Sequence, residues 1–565
     1  MDRMTVLSPW GEVDLTDASA LAPRLDSLEG KTIGMFSHFK GHSPLILKEV
    51  EAELAKRWPT ARFSYLMYPK DTKEIQDDPE FLPVFQQWLS QVDGVIAAYG
   101  DAGSCAMFHA FNTAYAEKLG KPSVLLVKRD IMNSAKRGAA SRHIPHLRMV
   151  PCELLDLSFV PALDEALVEN TIRPAVRPCA EALADALTRP LTEEEKTIVH
   201  SDVNRYADMT LTGTVGEIND QMYCLGWTNG APVIPPTRQA VDEMLRGTPL
   251  PPDCLVAELP PMRGRATVEK IAVNAVMAGC LPTYMPILIA AVKAMTDPCL
   301  HLVGWTCSVA GFAPLILING PICRQIGLNC SNNILSPYWK ANATIGRALS
   351  FIIMNISGVR PTLEDNSYTG HEGRFGVCIG EDDDHCPWPP AQTRFGFGRE
   401  DSTVTLNWYS GRTWFNKATT AEALLKTMCT ADDQAGFAGG CTYVISPRCA
   451  DLLAQAGYSR DDVRAYISEY ARKSAVDVKV RWIRDNNHMQ RGAILPADPD
   501  CSCRKFWNTD HLNVFVAGSD STPRGVMFTG GGDHGGPACA AVELPENWDE
   551  LVAQYAKLRP NYIEY

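Results

Sequence analysis

The turn Gly100-Asp101-Ala102-Gly103-Ser104-Cys105 places a carboxylate and a thiol four residues apart, a combination suited to sulfur chemistry. Before it, Asp93 to Tyr99 is a short apolar run with turn residues at both ends; after it, Ala106 to Lys118 carries apolar residues at helical spacing. Cys105 therefore falls at the start of a helix, where backbone N–H groups and the helix dipole stabilise a thiolate. The N–H groups of Gly103, Ser104 and Cys105 would also stabilise negative charge developing on a substrate. Asp101 has two readings, a carboxyl of raised pKa that handles a proton and an N-cap of the helix. The competing reading of Cys105 is a buried structural thiol, since free cysteine is among the most buried residue types.

A second group of candidates lies further along. Cys280 ends an apolar helix in Met277-Ala-Gly-Cys-Leu-Pro-Thr-Tyr284, a position without dipole assistance, so it is either a second reactive thiol or a buried one. Arg347, with Asn342 and Thr344 of the same Asn342-Ala-Thr-Ile-Gly-Arg-Ala segment, offers a guanidinium fork for a substrate carboxylate. An internal acid is its alternative partner. Glu269, beside Lys270, either faces a site or forms a surface pair.

Metal chemistry is weakly encoded. Cys501-Ser-Cys503 is a lone pair, His371 stands by itself, and Asp382-Asp-Asp-His-Cys386 lacks a complementary pair at zinc-binding spacing. The glycine-rich Gly530 to Gly536 stretch carries Asp533 and His534, a metal or acid/base pair or a surface turn. There is no Walker sequence, no dinucleotide fingerprint and no Gly-x-Ser-x-Gly, so no cofactor is expected.

The elements that must position these residues alternate between strand and helix. Lys31 to Ser37, Arg62 to Tyr68, Gly94 to Gly100, Ser123 to Lys128 and Leu147 to Val150 read as strands, with helices over 44–57 and 79–91. Such alternation implies an α/β, flavodoxin-like parallel sheet covered on both faces. A ligand would sit beyond the strands' carboxyl ends, where Ser37-His38, Tyr68-Pro69, Asp101 to Cys105 and Lys128-Arg129 would converge. We divide the chain into an α/β thiol domain over 1–160, a helical connector over 161–215, a mixed α/β region over 216–417 and an α/β region over 418–565. Within them, 266–280, 285–296 and the segment from Asn342 read as buried helices, and 361–415 as irregular, with Gly380 to Pro390 a surface loop.

At 565 residues the chain is long enough for several cores, and its formal net charge of −13 argues against nucleic acid or an anionic membrane as partner. The first twenty residues do not read as a secretory signal, and the apolar stretches around 283–295 and 312–319 are too short to span a bilayer. A cytoplasmic protein with mostly reduced cysteines is expected.

Residues 4–150, from "LSPWGEVDL" through "LEGKTIGMFSHFK" to "GVIAAYGDAGSC", resemble the UGSC family of selenoproteins and their cysteine homologues. The family is named for a selenocysteine-Gly-Ser-Cys tetrad at the end of such a strand. From Gly226 onward, "GWTNGAPVIPPT", "TVEKIAVNAVMAGC", "NATIGRA" and "AGYSRDDVRAYI" resemble the large companion region associated with it. The resemblance implies a fold and thiol-redox chemistry rather than a defined reaction. Where the family carries selenocysteine or cysteine, this chain has Ala102, so the bridge between an attacking atom and a resolving Cys105 cannot form. Either Cys105 acts alone, or the chain is a variant in which a nucleophile was replaced.

The expected function is a thiol-dependent enzyme, an oxidoreductase or a lyase, acting on a small carboxylate-bearing substrate. The group native to position 102 would attack, Cys105 would resolve or assist, Asp101 would handle a proton and Arg347 would anchor the substrate. A thioredoxin-like protein or low-molecular-weight thiol would serve as reductant, and a homodimer is the expected assembly. The alternatives are a ligand-binding protein that has lost its nucleophile and a metal-dependent lyase or hydrolase built on Asp533 and His534.

Overall fold

The computed structural model describes residues 3–558 except 15–18, 71–72, 156, 158–163, 199–201, 417, 432–439, 475–501, 507–508 and 531–535. After a first strand, β1 (Met4–Leu7), come β2 (Thr32–Ser37), β3 (Arg62–Met67), β4 (Gly94–Gly100), β5 (Ser123–Lys128) and β6 (Met149–Cys152). Strands β2 to β6 form one parallel sheet in the order β3-β2-β4-β5-β6. That is the flavodoxin-like order, and its direction of winding reverses between β2 and β4. β4 is buried at every residue, as a central parallel strand must be.

The helices of this domain are α1 (His42–Arg57), α2 (Leu82–Ser90), α3 (Gly103–Lys118) and α4 (Met132–Ser141). One face of the sheet is covered by α1 together with helical segments between Glu165 and Thr188, through Ile46, Val50, Ile172, Leu183 and Leu187. This stretch, expected as a connector, is thus a covering layer of the sheet. The strand β7 (Thr210–Gly213) that follows pairs antiparallel with β1. α2, α3 and α4 cover the opposite face.

α3 is unusual among surface-layer helices because only Tyr115 and Lys118 escape burial. Ala106, Ala110 and Ala114, one turn apart, lie against the sheet side, while Met107, Phe108 and Phe111 enter the core of the rest of the chain. A helix buried on both sides is one that sits between two bodies of protein. The second body has a core of the helices Val268–Ala278, Met285–Met295 and Lys340–Asn355. Residues near the N-terminus are stitched into it as well: Trp10 is buried there, Gly11 N donates to Asn355 O at 3.1 Å, and Arg265 N to Glu12 O at 2.7 Å.

Two four-stranded mixed sheets complete the fold. One has the order Val377–Gly380, Ala313–Asn319, Thr403–Tyr409, Ala538–Ala541; the other Gly411–Asn416, Arg524–Thr529, Cys441–Ile445, Leu512–Val516. The stretch 361–415, expected to be irregular, therefore supplies three strands, whose partners lie far away in sequence and leave no local signature. The sheets also interleave across residue 417, since Gly411–Asn416 pairs with 524–529 and Ala538–Ala541 with 403–409. Gly380 to Pro390 is not wholly a surface loop either: Glu381 is buried and accepts from Arg460 Nη1 at 2.8 Å and Val516 N at 3.0 Å.

The two bodies are clamped by buried charge. Arg142 donates to Glu74 Oε2 at 2.8 Å and to the Pro261 carbonyl at 2.8 Å, and lies over the Phe111 ring at 3.8 Å. Burial alone would raise the Glu74 carboxyl, but Arg142 and Arg263 more than offset it and hold it low. Arg142→Ala would leave that carboxylate buried and underpaired, at a cost of about 3–5 kcal/mol. The expected result is a lower thermal midpoint and faster proteolysis between the two bodies; unchanged stability would refute the clamp.

Candidate functional site

The reversal between β2 and β4 is where a doubly wound sheet characteristically binds ligands, at the carboxyl ends of its strands, and the loops after both strands carry ionisable residues. Ser37-His-Phe-Lys-Gly-His42 leaves β2, and Asp101 leaves β4. Asp101 is buried. Its Oδ1 accepts from Lys40 Nζ at 2.8 Å and its Oδ2 from the same ammonium at 2.9 Å. His42 Nε2 donates to Oδ2 at 3.0 Å. Burial alone would raise this carboxyl, yet Lys40 and His42 prevail and hold it far below the usual carboxylate range. The expected raised pKa is thus overturned, and so is the capping role: the N-cap of α3 is Ala102, with no side-chain cap bond.

Ala102 is extended (φ −128°, ψ 160°), and its carbonyl accepts the first helical bond from Ala106 N at 2.8 Å. Gly103, Ser104 and Cys105 form the first turn of α3, as the sequence implied, and all three are buried. The first turn of a helix leaves N–H donors without intrahelical partners, which makes it suited to negative charge. Gly103 is required by close approach: a Cβ there would collide with the Cys307 carbonyl oxygen and lie 2.8 Å from Asn366 Nδ2. Asn366 in turn donates to Ser134 Oγ at 2.5 Å. The second body of the protein thus rests directly on the turn that carries Cys105.

His109 lies one helical turn beyond Cys105 on the same side of α3. Its ring stacks on His38, with centroids 3.4 Å apart and planes at 8°. Neither ring nitrogen of either residue has a hydrogen-bond partner among the described residues. Burial, reinforced by the nearby Lys40, lowers His38 from 6.5 to about 3; burial and His38 lower His109 well below its ordinary value. Burial thus holds both imidazoles neutral.

The structure does not gather the other sequence candidates here. Tyr68 turns away to donate to Asp78 at 2.8 Å, and Lys128 pairs with Asp130 at 3.2 Å. Cys280 is buried and donates to the Thr344 carbonyl at 3.3 Å; burial pushes its thiol up to about 12, which removes it as a nucleophile. Arg347 donates to the carbonyls of Ala231 at 2.9 Å and Pro232 at 3.0 Å and to Asn229 Oδ1 at 3.2 Å, fastening the glycine- and proline-rich loop. Its Nη2 is engaged by two backbone carbonyls and an amide oxygen, and no acid pairs with it among the described residues. Asn342 accepts from Asn329 N at 2.9 Å and donates to Cys378 O at 3.0 Å, and Thr344 Oγ1 donates to Lys340 O at 2.7 Å, so both hold local structure. Glu269 is the surface partner of Arg238. His371 Nδ1 accepts from Gly373 N at 2.9 Å. Asp533, His534 and Cys501 lie outside the described residues, and Cys503 falls in the short strand Ser502–Arg504. Among the described residues no group of three or more His, Cys, Asp or Glu side chains could hold a metal ion.

Lys40, His42, His109, Cys307 and Asn366 are the site residues that sequence reasoning missed. The first two had a readable signal, basic side chains at alternate positions just after the first sheet strand. Cys307 and Asn366 had none, because they arrive from another body of the fold.

With this geometry in view, the comparisons are informative for the N-terminal third. Residues 5–184 match the family model described as UGSC family. The match runs into the helix Ala180–Thr188 that covers the sheet. No curated protein matches the chain. Among the described residues no single helix is long and apolar enough to cross a membrane.

The stacked pair gives the protein a specific acid response. An unfolded His38 takes up a proton near 6.5 and the folded one only near 3, so between those values the unfolded state binds more protons and stability falls as pH falls. The slope is about 1.4 kcal/mol per pH unit for each such histidine. His38→Phe, which keeps an aromatic ring in the stack, should flatten the stability profile measured by urea unfolding across this window. An unaltered slope would show that the ring is not buried neutral.

Proposed function

We propose that the protein is a thiol-dependent enzyme, of oxidoreductase or lyase type, that acts on a small carboxylate-bearing substrate at the Gly100–Cys105 turn. The observation that carries this reading is the position of Cys105 in the first turn of α3, beside the Lys40–Asp101–His42 cluster at the winding reversal of a flavodoxin-like sheet. In this reading Cys105 supplies the thiolate. The Gly103 and Ser104 N–H groups and the Lys40 ammonium attract the substrate's negative charge, the part that the sequence assigned to Arg347.

Asp101 stays ionised and acts as the orienting group rather than the proton carrier. Because a carboxylate only accepts, His42 donates to it from Nε2, and Nδ1 is the ring nitrogen left to face substrate. With a cysteine at position 102, that thiol would attack a substrate disulfide and release one substrate thiol; Cys105 would then attack the position-102 sulfur of the mixed disulfide, closing an internal bridge and releasing the second substrate thiol. A thioredoxin-like protein or a small thiol would then reduce the internal bridge. With Ala102 the cycle stops at chemistry on Cys105 alone. Ala102 and the burial of the whole turn favour one second reading, a ligand-binding protein derived from such an enzyme.

Iodoacetamide labelling followed by mass spectrometry across pH, on the chain as it stands and on Ala102→Cys, tests the proposal. Cys105 should label at a pH well below the ordinary thiol pKa of about 8.5, and the variant should form a 102–105 disulfide and turn over in the presence of a thiol. Labelling as slow as that of Cys280 in both proteins would sink the enzyme reading. Retained ligand binding without turnover in the variant would favour the binder.

A further inference from the structure

A cavity of about 430 Å³ lies between the segment Gly320–Ser331 and the loop Glu381–His385. Two thiols, Cys323 and Cys330, line it. Their meeting point is made by a glycine. Gly380 ends the strand Val377–Gly380, and a Cβ there would lie 2.5 Å from Cys330 Sγ and 3.1 Å from Cys323 Sγ, so both sulfur atoms crowd one point in space. Cys323 Sγ also contacts the Ile318 carbonyl at 3.4 Å, and Cys330 Sγ the Leu328 carbonyl at 3.6 Å.

The two thiols are not equivalent. Cys330 is half-buried, whereas Cys323 is buried at the floor. The hydrogen bond to Cys330, and then burial, keeps the Cys323 thiol protonated well beyond its ordinary range. An accessible sulfur beside a buried protonated one is the arrangement of an attacking and a resolving thiol. Asp383 borders the same cavity. Its Oδ2 accepts from Gly320 N at 3.1 Å, and its Oδ1 is buried without a hydrogen-bond partner among the described residues. Burial and the neighbouring Glu381 raise this carboxyl to about 6, so near neutral pH it can accept a proton and give it up again. On the walls Glu381, Asp382, Asp383, Asp384 and Glu400 outnumber Arg324, Arg399 and His385. The cavity therefore repels anions and favours neutral or cationic ligands.

We propose that Cys330 and Cys323 form a second thiol centre, separate from the Cys105 turn, that closes to an internal disulfide by exchange with a small neutral or amine-bearing disulfide. In the first step the Cys330 sulfur attacks one sulfur of the ligand, the ligand's S–S bond breaks, and one small thiol leaves with the Cys330 proton. In the second step Cys323 attacks the Cys330 sulfur of the mixed disulfide. Its proton passes through Asp383 to the second departing thiolate. Two protein thiols are oxidised, and one ligand disulfide is reduced to two thiols.

The test uses the reduced full-length chain, incubated separately with cystamine and with oxidised glutathione, then alkylated and mapped by mass spectrometry. The expected product is a disulfide linking the Cys323 and Cys330 peptides while Cys280 and Cys378 remain reduced. Cystamine should produce it at a concentration about tenfold lower than the anionic glutathione disulfide. Cys323→Ser should stop at a mixed disulfide on Cys330, and Cys330→Ser should leave Cys323 reduced. The wild-type map decides the matter even where a variant folds poorly. A wild-type protein that halts at the Cys330 mixed disulfide, oxidises all its cysteines alike, or reacts equally with both reagents overturns the proposal.

Discussion

A single buried carboxylate organises the N-terminal domain's functional end. Asp101 sits where the central strand β4 gives way to α3, and it draws in Lys40 and His42 from the loop after β2. Those two loops flank the winding reversal of the sheet, the place where a parallel α/β sheet leaves a crevice. A carboxylate at this depth is tolerable only with its charge compensated and its lone pairs occupied. The same interaction therefore fixes both loops and sets the electrostatics of the first turn of α3. The neutral His38–His109 stack follows first from burial, with the Lys40 ammonium adding to it and the Asp101 carboxylate opposing it.

α3 carries this arrangement into the rest of the molecule. Its alanine side lies against its own sheet, and its Met107, Phe108 and Phe111 side belongs to the core of the second body. Gly103 lets the Cys307 carbonyl and Asn366 reach the helix start. Chemistry at the turn is consequently enclosed by two bodies at once.

Burial divides the cysteines by chemistry. Cys280, Cys307 and Cys378 have thiols pushed up by desolvation, so they behave as small apolar side chains. Cys105 differs by its place at a helix start, and Cys330 by its place on a cavity wall next to a second sulfur. Under the proposed chemistry, place beside charge or beside a second sulfur, rather than cysteine content, marks out Cys105 and Cys330.

The parallel sheet was legible because each of its strands is a short apolar run bounded by turn residues, and local patterning reports that directly. The helix start at Cys105 was legible for the same reason, through the passage from strand spacing to helical spacing around Gly100. The role of Asp101 was not, since its protonation depends on Lys40 and His42, some sixty residues earlier in the chain. Arg347 shows the same limit: its residue type implied a partner, but only folding revealed backbone carbonyls as that partner. The strands between 377 and 416 escaped notice because strand pairing is set by distant partners. The sequence by itself determined the α/β class, the tetrad-like turn and the thiol at a helix N-terminus, all consequences of residues adjacent in the chain. Tertiary structure alone decided which charges meet, which thiols are desolvated and which sulfur atoms touch, because those energies depend on distance through space and on exclusion of water.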